Sequence, residues 1–159
     1  LYLFNYWVTI RIRVERIEVH CSDLPKDYVD RFKAAMLDVL GAVKDYRPDL
    51  PFRAFAVALG IHGRLEGQAV RDYLARFVAD TPTGLGPPSG SGVVFYFGPE
   101  GDRLLSTITA DVSAVVPEGL YLRVHGVWDA GRVAADALGG IAETFVRHAV
   151  DSLGLQLPA

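Results

Sequence analysis

The chain has 159 residues, 50% of them hydrophobic and 22% charged, the size and balance of one globular domain. Its net charge of −3 argues against a nucleic-acid binder, which needs a basic surface, and no run approaches the ~20 apolar residues that cross a bilayer. No nucleic-acid and no membrane partner is therefore expected. The single cysteine, Cys21, allows no internal disulfide, which fits a cytoplasmic protein. Lys26, Lys33 and Lys44 are the only lysines among 16 basic residues, and such Arg-rich usage suggests a GC-rich bacterial genome.

The start, Leu1 to Trp7, is apolar and has neither a basic leader nor an initiator Met, as in a chain trimmed or cut from a longer protein. Tyr2, Phe4, Tyr6 and Trp7 put four aromatics in seven residues. Aromatics bury large areas and are enriched where proteins meet, so this segment is expected to be covered, either by the chain's own helices or, as an interface, by a protein partner or a second copy. Val8, Ile10, Ile12 and Val14 alternate with polar residues, and the phase changes where Ile17 and Val19 take over. Glu-Arg is poor turn chemistry, so the expectation is one strand with a β-bulge near Glu15–Arg16 rather than a hairpin.

Ser22–Asp23–Leu24–Pro25 then opens a helix with Val29, Phe32, Met36, Leu40 and Val43 as its apolar stripe. Ala54 to His62 is a strand with Phe55, Val57, Leu59 and Ile61 on one face and small residues on the other. Glu66 to Ala79 reads as a second helix, with Val70, Leu74, Phe77 and Val78 inward. The Gly/Pro-rich run from Asp80 to Gly92 is a loop, expected to be the most mobile internal segment.

Three strands follow, Val93 to Phe97, Arg103 to Val112 and Leu120 to Trp128, joined by two Pro-Glu-Gly turns. The middle strand mixes its parities, with Leu104, Ile108 and Ala110 set against Leu105 and Thr107. A helix from Ala130 to Leu153 ends the chain, with Ala134, Leu138, Ile141, Phe145 and Ala149 toward the sheet. The pattern predicts a single α+β domain over 1–159, a two-layer sandwich of order β-α-β-α-β-β-β-α. Its sheet is mixed but mostly antiparallel, with helices on one face. Phe32, Leu40, Phe55, Val57, Leu59, Ile108, Leu122, Val124, Ile141 and Phe145 are the expected core.

Motifs with chemistry are sparse. The Gly-rich loop lacks the Gly-Lys-Ser/Thr ending of a phosphate loop and precedes a strand. Cys21 follows His20, which a strand points to the opposite face, so the pair makes a poor nucleophile and base. His20, His62 and His125 sit on the polar faces of their strands, but no spacing marks a metal site, so neither metal nor cofactor is expected. His62, Asp111, Tyr121, Arg123 and His125 are the candidate ligand-pocket residues, since neighbouring strands would bring an acid, a base and a phenol together. A solvated outer face would show the same pattern. Two functions follow: a non-catalytic interaction or accessory module, or a small-molecule-binding domain or enzyme with a pocket between the sheet and the long C-terminal helix.

Overall fold

The computed structural model describes residues 2–3, 8–12, 16–21, 29–78 and 90–156. The fold is α+β, with three helices and two antiparallel sheets among the described residues. The chain divides into two compact units, Leu1–Pro51 and Phe52–Ala159. Phe4, Tyr6, Trp7 and the loop 79–89 lie outside the described residues, as do the side chains of Tyr2 and Phe32.

The first unit holds strands β1 (Tyr2–Leu3), β2 (Val8–Ile12) and β3 (Ile17–Cys21) in that spatial order, then helix α1 (Val29–Tyr46). Strand β2 runs antiparallel to β3, with Ile12 opposite Ile17 and Val8 opposite Cys21. The chain therefore reverses between Ile12 and Ile17, where a bulged continuous strand was expected. The register explains the phase change: Ile10 faces Val19, so one hairpin face gathers the apolar residues of both arms. In α1, Ala35 is buried, while Met36, Leu40 and Val43 are half-buried at helical spacing.

The second unit carries β4 (Ala54–Gly63), α2 (Val70–Ala75), β5 (Val93–Phe97), β6 (Arg103–Val112), β7 (Leu120–Asp129) and α3 (Leu138–Ser152). Its sheet has the order β4-β7-β6-β5, antiparallel throughout. One face is covered by both helices, the two-layer arrangement that the alternation predicts. Val70, Tyr73 and Leu74 of α2 and Val146, Ala149 and Val150 of α3 pack with Ile108, Ala110, Leu122 and Val124 in one cluster. Leu59 and Phe145 pack against it half-buried, and Phe55 is buried as expected, whereas Leu40 belongs to the first unit.

Both helices are shorter than their periodicity predicts. Residues 66–69 are irregular before α2 starts at Val70. Before α3, the chain turns at Asp129: its carboxylate accepts the Gly131 N–H at 2.8 Å and its carbonyl accepts those of Arg132 and Val133. Such local bonds compete with the helix, so Ala134 is exposed and does not face the sheet. The Tyr73 hydroxyl of α2, fully buried, donates at 2.9 Å to the carbonyl of Leu153, the residue that follows α3.

The hairpins use the two Pro-Glu-Gly sequences differently. In the first, Gly101 takes a positive φ as the leading residue of the turn that joins Glu100 to Arg103. In the second, Glu118 takes the positive φ, and Gly119 is needed for another reason: a side chain there would meet Val116 and the Gly63 carbonyl within 3 Å. Among the described residues, no helix is long and apolar enough to cross a membrane.

Candidate functional site

The sheet register sorts the expected pocket residues onto the uncovered face. His62, Tyr121 and Asp111 form one row across β4, β7 and β6. Tyr121 stacks on His62 with ring centres 4.7 Å apart, lying over Gly60, whose missing side chain makes room for the phenol. The Nδ1 atom of His62 shares a hydrogen bond of 2.8 Å with the Ser113 hydroxyl. Asp111 fills the space where Gly92 lacks a side chain, and its carboxylate accepts the Val112 N–H.

Arg123 and His125 continue the strip, opposite Gly60 and Ala58 of β4. Burial, and then the Arg123 charge, hold His125 below the usual histidine range. His62 and His125 stand four residues apart in register, about 13 Å along the strand direction. His20 belongs to the first unit. Among the described residues, no three His, Cys, Asp or Glu side chains gather closely enough to hold a metal. The strip is continuous but lies on an open surface.

A concave site lies on the other face. A cavity of about 650 Å³ lies between α3 and the ends of β5, β6 and β7. Its aromatic wall is Trp128 and Phe145, packed edge to face with centres 5.4 Å apart. Trp128 lies over Gly126, where any side chain would come within 2.5 Å of the indole. Phe97 stands at the open side, 43% exposed, and His148 and Thr144 line the helix side. Ser106, opposite Gly126, is the one buried polar residue of the described core.

Arg103 enters this site through a register shift. Pairing of β6 with β7 jumps from Arg103–Trp128 to Leu105–Val127, leaving Leu104 as the extra residue of a β-bulge. In an unbulged strand Leu104 would face Trp128 and Arg103 would point to the open side. The bulge resolves the mixed parity of this strand and places a cation in the cavity wall. There the guanidinium lies over Phe145, 5.3 Å from the ring centre, and its Nη2 donates to Glu100 at 2.5 Å. Its Nε is buried without an acceptor.

Arg103, Ser106, Trp128 and His148 line this cavity between sheet and C-terminal helix. The five residues singled out from the sequence do not. Two sequence features mark the place without showing a cavity: Gly126 within an alternating strand, and the parity slip at Leu104–Leu105. No family model, curated protein or solved structure matches the chain.

Proposed function

We propose that the second unit is a small-molecule-binding domain whose ligand occupies the cavity between α3 and the sheet. The carrying observation is the cavity itself: about 650 Å³, within the range of ligand sites, with an aromatic wall and a few convergent polar groups. Gly140 and Arg103, brought there by the bulge, both line this cavity.

Gly140 provides the test. It lines the cavity from α3, and a side chain built on it meets nothing within 4 Å. Gly140→Leu should fill the site and leave the fold intact. Trp7 and Trp128 are the two tryptophans, so a Trp7→Phe background makes Trp128 emission the reporter. Titration with small aromatic probes should shift that emission saturably, and Gly140→Leu should abolish the shift with unchanged circular dichroism. Equal responses in both proteins would sink the proposal.

An interaction module is the second reading, favoured by the edge of the sheet. Tyr96 is 79% exposed on edge strand β5, and Val94 and Leu105 are also exposed on the uncovered face. This edge offers apolar surface to a protein partner or second copy. Phe4→Ser with Trp7→Ser, and separately Tyr96→Lys, would show by mass in solution whether either surface holds an assembly together.

A further inference from the structure

We infer that the cavity takes a ligand with an apolar body ending in a carboxylate, and that Arg103 receives this group by releasing Glu100. The inference rests on the binding reading and names its ligand class. Four observations carry it.

The bulge keeps Arg103, and not Leu104, opposite Trp128 in the cavity wall. Bulges commonly re-aim a side chain next to a functional site. The Arg103 side chain is only 19% exposed, and its Nε donor is buried with no acceptor. A buried charged donor left unmet is costly, so a turn of the guanidinium that brings Nε to an acceptor is favoured.

Glu100, the partner on Nη2, is 78% exposed on a turn. Only the Glu100 end of the pair is exposed, so the carboxylate regains water when it leaves. Release of Glu100 lets the guanidinium turn its Nε–Nη2 edge to a planar carboxylate, whose two oxygens match the fork. The remaining wall, Trp128, Phe145, Ile108 and Ile141, suits a hydrocarbon or aromatic body.

An amine ligand fits less well. It would compete with Arg103 for Glu100 and leave Nε still without an acceptor. Asp102, the other acid of the lining, is already faced by Arg132 at 4.0 Å and is exposed.

The probes are 3-phenylpropionate, its primary amide and 3-phenylpropylamine, titrated by calorimetry against the full chain. The carboxylate should bind about 10- to 100-fold tighter than the amide. Arg103→Met should erase that preference, and Arg103→Lys should reduce it, because an ammonium lacks the fork. Glu100→Gln should tighten carboxylate binding and leave amide binding unchanged. Melting curves of the four proteins verify that each is folded. Equal binding of acid and amide, or tighter binding of the amine, overturns the carboxylate assignment while the cavity reading survives. Failure of all three probes to bind, with Gly140→Leu also without effect on the Trp128 reporter, takes down both.

Discussion

The indole of Trp128 lies where a side chain on Gly126 would have to be. A methyl group at position 126 would come within 2.5 Å of Trp128 and 3.0 Å of Phe145. The smallest residue of β7 thus sets the position of the cavity's largest wall.

Gly126→Ala should therefore cost about 1–3 kcal/mol, the usual range for overpacking. Urea denaturation would measure the loss, and Trp128 emission in the Trp7→Phe background should shift as the ring is displaced. An unchanged midpoint would mean that the pair yields freely.

Gly140 makes the opposite case. It is helical, and a side chain there has open space. Gly140→Ala should stabilise the fold by about 0.5–1 kcal/mol through helix propensity. Thermal melting would check it, and a lower melting temperature would show that the backbone needs glycine.

Tyr73→Phe should cost about 1 kcal/mol by removing the buried bond to Leu153. Burial raises the Tyr73 pKa above its ordinary 10.0, outweighing the Arg76 charge. The neutral hydroxyl is thus favoured in the fold. Its stabilisation is complete below that ordinary value and disappears as pH climbs through the raised one. The alkaline limb of a stability profile should accordingly be shallower in Tyr73→Phe than in the parent chain.

His125 works at the other end of the scale. Its pKa lies below 6.5 through burial first and Arg123 second. Its contribution is complete above 6.5 and is lost as pH falls through the lowered value, since the unfolded chain takes the proton more readily. An NMR titration should place its midpoint below 6.5, and Arg123→Gln should move that midpoint partway up. His125→Gln should lessen the acid-side loss of stability.

Much of the fold was legible because alternation survives in β4 and β7, where Phe55, Leu59, Leu122 and Val124 mark one covered face. The hairpin between Ile12 and Ile17 was not, because Arg13, Val14, Glu15 and Arg16 include no usual turn former. Helix α3 was read too long, because Ala130 to Ala137 is rich in helix formers. The competing bonds at Asp129 show only in three dimensions. Tyr73 escaped because a phenol in a short polar stretch gives no sign that its partner is 80 residues away. The candidate strip was legible by parity, since His62, Tyr121 and Asp111 do share a row. The cavity was not, for it depends on how Trp128 lies over Gly126 and on one extra residue in β6.

That extra residue can be viewed as an indel. Arg103, Leu105 and Ser106 already alternate correctly between covered and open faces if Leu104 is passed over. Losing the codon for Leu104 would leave a regular strand with the arginine still opposite Trp128. Related chains one residue shorter here would keep the same cation in the same wall, so an alignment gap at 104 would not signal loss of the site. A Leu104 deletion variant that folds and still prefers the carboxylate probe would establish the point.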